Sequence, residues 1–78
     1  MEFEWDAAKE RANRERHGIS FDEVLELFTR DDDYLEIYDA EHSCDEDRFI
    51  AVGPVRRGLV VVVYTELHED TIRIISAR

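Results

Sequence analysis

Apolar residues at Phe21, Val24, Leu25 and Phe28 recur at i, i+3, i+4 and i+7, which places them on one face of a helix. Ser20 and Glu23 stand just ahead of it as an S-x-x-E capping box, in which each side chain satisfies a backbone N–H that the first helical turn leaves orphaned. Further upstream, Glu2 to Trp5 reads as a short strand. Asp6 then serves as N-cap of a first helix through Ala7, Ala8 and Ala12 to His17, and Gly18 supplies the left-handed stop. After Asp31-Asp32-Asp33 the period changes to two. Leu35 and Ile37 alternate with Tyr34, Glu36 and Tyr38, as in a strand with one face buried. A polar loop from Asp39 to Asp47 separates this from a further strand, Arg48 to Val52, and Gly53-Pro54-Val55-Arg56-Arg57-Gly58 reads as a turn. Leu59 to Tyr64 is apolar throughout, the pattern of a central strand covered on both faces. Leu67-His68-Glu69-Asp70 turns the chain into a last strand, Thr71 to Ala77.

The resulting order is β-α-α-β-β-β-β. Helices gathered at one end and strands joined by short turns predict an α+β fold, with two N-terminal helices packed on a mainly antiparallel sheet. Residues 1–78 are expected to form one domain, with no linker, repeat or low-complexity tract beyond the three aspartates. A chain of this length buries only about 60–65% of the surface it exposes when unfolded, so the core is small.

Composition narrows the class. A 44% hydrophobic content with 10% aromatics suits a folded globule. No apolar run approaches the ~18 residues of a membrane span, so no membrane association is expected. The opening Met-Glu-Phe-Glu-Trp is acidic and unlike a signal peptide, and Cys44 is the single cysteine. A cytoplasmic protein without a disulfide follows as the expectation. Charge pulls against one class of partner: 20 acidic and 10 basic residues give a formal net charge of -10. Nucleic-acid binding draws much of its affinity from neutralising phosphates, and an acidic chain starts at a disadvantage. Exposed charges are screened beyond about 8–10 Å at physiological salt, so any RNA site has to be concentrated in one place. Taken alone, the charge points to a basic protein partner or to solubility.

Several stretches, taken in order, carry a family resemblance. They are Phe3-Glu4-Trp5-Asp6 with Lys9, Asn13 and His17-Gly18; Ser20-Phe21-Asp22-Glu23; Glu41-His42-Ser43 with Glu46 and Arg48; Tyr64-Thr65-Glu66; and Arg73-Ile74-Ile75-Ser76-Ala77-Arg78. Together they resemble the BrnT family of ribonuclease toxins from bacterial type II toxin–antitoxin systems, from Phe3 to Arg78. The resemblance implies a compact RelE-like fold and metal-independent cleavage of RNA, with no cofactor. It also implies a BrnA-like ribbon-helix-helix antitoxin, which blocks the toxin and through which alone operator DNA is bound. Two departures stand out. Members usually continue past the last arginine into a C-terminal helix rich in arginine and glutamate, which this sequence lacks after Arg78. Members also often carry arginine where this chain has Leu67. Both take positive charge from the region where RNA is expected.

Metal-free RNA cleavage turns a 2′-OH on the adjacent phosphorus. It needs a base, an acid for the leaving oxygen and cations around the phosphorane. Arg73 is the first candidate for the last task, since a guanidinium fork matches two phosphate oxygens; the competing reading is an exposed strand residue. Arg78 is the second. Strict alternation places it on the face opposite Arg73, so both reach one site only if the strand ends near Ser76, and an unstructured tail competes. His42, in a loop beside Ser43, and Glu66, at a strand end, are the proton-transfer candidates, against the readings of a turn cap and a solvated carboxylate. Lys9, Asn13 and His17 share one helical stripe, with Lys9 a substrate contact or part of a solvated face. Arg48 is an RNA-binding candidate with the acidic Asp45-Glu46-Asp47 as simpler partners. Cys44, His42 and Asp45 make a poor metal cage, and Asp31 to Asp33 lack the rest of a calcium loop, so no metal site is expected. Trp5 reads as a core anchor.

Two functional readings remain. One is an active ribonuclease toxin. The other is a catalytically weak or inactive, toxin-derived binding module that keeps only its protein partner. Without a terminal helix, apolar sheet surface would be exposed, which predicts a homodimer or a stable complex.

Overall fold

A computed structural model of the protein describes residues 1–29, 34–44, 46–68 and 70–78. Five strands and two helices follow in the order β1 (Glu2–Glu4), α1 (Ala7–His17), α2 (Phe21–Thr29), β2 (Leu35–Tyr38), β3 (Arg48–Val55), β4 (Gly58–His68) and β5 (Thr71–Ala77). The sheet order is β1-β5-β4-β3-β2. β5, β4, β3 and β2 pair antiparallel, while β1 lies parallel to β5, with Glu2 opposite Thr71 and Glu4 opposite Arg73. This is the α+β architecture expected from the pattern.

The helix boundaries follow their caps. The Asp6 carboxylate accepts the Lys9 N–H at 3.0 Å, and Gly18, at φ 72, donates its N–H to Arg14 at 2.8 Å. The Ser20–Glu23 box closes reciprocally: the Ser20 N–H donates to Glu23 at 3.0 Å and the Glu23 N–H donates to Ser20 Oγ at 3.3 Å. α2 buries Phe21, Val24 and Leu27 against Ala51, Val62 and Ile74 of the sheet. α1 has almost no apolar face, and its one buried residue is Asn13. Trp5 anchors the core as expected, edge-on to Phe21 with ring centroids 5.9 Å apart.

Both helices cover one face of β5, β4 and β3, and the other face stays open. Two expectations change as a result. β4 is the central strand, but Val61 and Val63 are only half-buried, so its apolar run is not covered on both faces. β2 is exposed at every position, as the edge strand of the sheet. The hairpin turn is also shorter than its glycines suggest. Gly53, Pro54 and Val55 pair within β3, and Arg56-Arg57 alone make the turn, with Gly58 at φ 141. Similarly, Leu67 and His68 continue β4 instead of turning. Among the described residues no helix is long and apolar enough to cross a membrane. The Asp31-Asp32-Asp33 run, Asp45 and Glu69 lie outside the described residues.

Candidate functional site

In the β4–β5 pair Thr65 faces Arg73 and Tyr64 faces Ile74, but the next pairing joins Val63 to Ser76. Ile75 is therefore the extra residue of a β-bulge, and the side-chain alternation changes phase behind it. Arg78 pairs with Val61 through two backbone hydrogen bonds of 2.6 and 2.9 Å, which continue the ladder past Ala77. Arg73, aligned with Thr65, and Arg78, aligned with Val61, consequently both face the open side of the sheet. This corrects the expectation from strict alternation. The two arginines share a face because of the bulge, and Arg78 is held by Val61 and is not an unstructured tail.

Arg73 belongs to a lateral row on that side. Glu4, Arg73, Thr65 and Arg48 are partners on neighbouring strands β1, β5, β4 and β3. The Arg73 guanidinium sits 3.4 Å from Glu4, with both side chains more than two-fifths exposed. A pair this wet contributes about 0–1 kcal/mol, so a phosphate can displace Glu4 at little cost. Arg48 takes the simpler partner foreseen for it: its Nε lies 3.6 Å from Glu46. Thr65 between the two arginines is buried, and its hydroxyl donates to the Asp47 carbonyl at 2.5 Å.

Past Glu4 the outer edge of β5 has no strand partner, and α1 takes that place. Asn13 makes the join. Its carboxamide oxygen accepts the Ala77 N–H at 3.1 Å and its Nδ2 donates to the Ile19 carbonyl at 3.3 Å. Lys9, Arg16 and His17 stand on either side of Asn13 in the sequence and, with Arg78, line a cavity of about 380 Å³ that Val61, Val63 and Ile75 also line. Asp6 connects this cavity to the arginine row. Its carboxyl is held below the ordinary carboxylate range first by the Lys9 backbone N–H, with smaller contributions from the Lys9 and Arg73 charges. The helical stripe is thus not a uniform solvated face, although Glu10 and Arg14 do pair across it at 3.8 Å.

The remaining candidates lie elsewhere. His42 ends a short 3-10 turn, Ala40–His42, in the β2–β3 connection at the opposite edge of the sheet, and its Nδ1 is 2.9 Å from Asp39. Ser43 beside it is structural: its hydroxyl donates to the Asp39 carbonyl and accepts the Arg48 N–H. Glu66 pairs with Ile72 and so points to the helix side, away from Arg73. There it adds to the fields acting on Tyr34 and Tyr64, whose phenols are raised chiefly by burial and then by Glu36. The structure therefore places Arg78 and Lys9 on one cavity and Arg73 and Arg48 in a row on the same face of the sheet, and leaves His42 and Glu66 apart from them.

Sequence reasoning singled out neither Arg16 nor His17 as a site residue of its own. The eight-residue interval from Lys9 to His17 is visible in the chain, but the partner that closes the cavity, Arg78, depends on the bulge. The ligand atoms of Asp39, Glu41 and His42 come within 4.8 Å of one another, yet Asp39 and His42 already bond each other, which makes this a capped turn. Cys44 is exposed.

Comparison with known proteins agrees with this fold. Residues 5–78 match the family described as ribonuclease toxin, BrnT, of type II toxin–antitoxin system. The crystal structure of the Brucella abortus ribonuclease toxin BrnT is similar over 100% of this chain and 94% of that one, with a TM-score of 0.79 and 22% sequence identity. No curated protein matches the chain.

Proposed function

Because the chain belongs to the BrnT family of ribonuclease toxins of type II toxin–antitoxin systems, we propose that it cleaves RNA, without a metal ion, where Arg73 and Arg78 meet the cationic edge of α1. The observation that carries this reading is the shared face of the two arginines, with Lys9 and Arg16 at its border. It answers the objection raised by a net charge of -10. Lys9, Arg16 and Arg78 line one cavity and Arg73 lies on the same face of the sheet, and local potential governs where a phosphate chain settles.

In this reading a 2′-OH attacks the neighbouring phosphorus and the 5′ oxygen leaves, giving a 2′,3′-cyclic phosphate. Arg73 and Arg78 hold the phosphorane oxygens, with charge-assisted hydrogen bonds that strengthen as negative charge builds. Lys9 and Arg48 hold flanking phosphates. Proton transfer by His42 or Glu66 gains no support from where these residues sit. The test is a long RNA at low salt with EDTA, incubated with the protein or with Arg73→Ala. Cleavage leaving cyclic phosphate ends, and lost in the variant, is the expected result.

A toxin of this class implies an antitoxin partner. We assign that role to a BrnA-like ribbon-helix-helix protein, which holds operator DNA itself and meets the acidic exterior with its own basic charge, in the cytoplasm. The second functional reading, a module that only binds its partner or a second copy, is favoured by one feature. The open face leaves Leu35 60%, Ile37 44% and Leu59 77% exposed. Absence of cleavage by a folded chain that still forms a complex would select it.

A further inference from the structure

Among the three histidines, His42 has its Nδ1 occupied by Asp39, and His68 ends β4 next to the turn into β5. His17 alone stands on the wall of the cavity between α1 and the end of β5. The charged groups facing that cavity are Lys9 and Arg16 from α1 and Arg78 from β5; no carboxylate among the described residues lines it. No hydrogen bond or ion pair within the described residues engages the His17 ring, so both of its nitrogens are open to a ligand.

The cavity has two kinds of wall. Val61, Val63 and Ile75 supply apolar lining, and Lys9, Arg16 and Arg78 supply cationic lining. Its volume of about 380 Å³ falls in the ~300–1,000 Å³ range of small-ligand sites. A nucleotide divides in the same way, into a flat base and a charged phosphate. A base held in an A-form duplex is stacked and paired and does not reach such a recess, whereas an unpaired one does.

We infer that this cavity seats one unpaired ribonucleotide and that His17 is the catalytic base of the RNA cleavage proposed above, on which this inference rests. The imidazole takes the proton of the 2′-OH as the O2′–P bond forms. The P–O5′ bond breaks with its electron pair staying on O5′, which is protonated by water. The imidazolium returns its proton to solvent, so no oxidant, reductant or further reactant is consumed. Arg78, which lines the same cavity as His17, holds a phosphate oxygen through the step, and Lys9 holds the adjoining phosphate.

The deciding experiment is single-turnover cleavage of a single-stranded RNA oligonucleotide in EDTA by the wild-type protein, His17→Gln and His42→Gln. Binding is measured in parallel with the same oligonucleotide carrying 2′-deoxy sugars. Loss of a general base is expected to slow cleavage about 100-fold or more in His17→Gln and to remove one limb of the pH–rate profile. Affinity for the 2′-deoxy strand stays within about threefold, His42→Gln behaves as wild type, and added imidazole restores part of the rate to His17→Ala. Annealing the complementary strand is expected to reduce wild-type cleavage at least about tenfold.

Wild-type rate and pH profile in His17→Gln would overturn the assignment. So would a loss of 2′-deoxy binding as large as the loss of rate, which would make His17 a phosphate contact. Equal cleavage of duplex and single strand would overturn the unpaired substrate. Inactivity of the wild-type protein towards every RNA is a different result, because it removes the ribonuclease reading itself.

Discussion

Arg73 and Arg78 point to the same side of one strand although four residues, an even number, lie between them, because the bulge at Ile75 inverts the alternation. Arg73→Ala is therefore expected to lower cleavage about 100-fold, and Arg78→Ala to lower it by about tenfold or more, the scale of losing a donor to a developing oxyanion. Arg73→Lys is expected to remain impaired, since an ammonium does not reproduce the planar fork. Single-turnover rates measure all three, and unchanged melting curves confirm that the fold is not at issue.

Glu4 competes with RNA for Arg73 across 3.4 Å. Neutralising it in Glu4→Gln is expected to raise affinity for an uncleavable RNA a few-fold at low salt. Stability should change by less than about 1 kcal/mol, because the pair is exposed. Titrations at two salt concentrations check this, and the gain should shrink at the higher one.

Asn13 is the sole buried residue of α1 and bonds two backbone groups that are remote in sequence, Ile19 and Ala77. Asn13→Ala would leave a buried carbonyl and a buried N–H without partners, at a cost of about 1–3 kcal/mol. It should also loosen α1 from β5 and so widen the cavity. Denaturant unfolding gives the first quantity, and faster hydrogen exchange at Ala77 reports the second.

Gly53 admits the core more closely than any other residue type allows. A methyl group there would fall 2.5 Å from Leu27 Cδ1 and 2.7 Å from Tyr34 Cβ. Gly53→Ala is expected to cost about 1–3 kcal/mol through overpacking, read as a lower midpoint in urea.

The Tyr64 phenol is buried, donates to the Glu36 carboxylate, and is raised above its ordinary value of 10.0 by burial and by that neighbour. A raised acid keeps its proton in the folded state while the unfolded chain loses one. The stability it confers is complete below pH about 10 and is lost as pH climbs beyond it. Tyr34, raised in the same direction, adds to the slope. Melting temperature should therefore fall from pH 9 to pH 11, and fall less steeply in Tyr64→Phe.

Much of this molecule is legible in its sequence because the signals are local. The cap at Asp6, the box of Ser20 with Glu23 and the apolar face of α2 each need only a few neighbouring residues; the first two stand where they were read, and the face does so with Leu27, not Leu25 or Phe28, fully buried beside Phe21 and Val24. What escaped is set by pairing across strands. Nothing in Arg73-Ile74-Ile75-Ser76-Ala77-Arg78 marks Ile75 as unpaired, since that depends on how β4 holds it. The exposure of β2 depends on its place at the sheet edge, and a strand of alternating type looks the same at an edge as at the centre of a sheet. The candidate site suffered most. Its cations come from α1 and from the last residue described, and a family segment such as His42-Ser43 proved to be a turn that secures a connection.

The parallel pairing of β1 with β5 sets an order in time. Glu2, Phe3 and Glu4 leave the ribosome well before their partners Thr71, Ile72 and Arg73 are made. Arg78 and Asn13 stand in the same relation, joined through Ala77. While synthesis is under way, the arginine row is unmade and the cavity lacks a wall. The surface proposed to meet RNA would therefore take shape only after the residues on both sides of this long separation had been made.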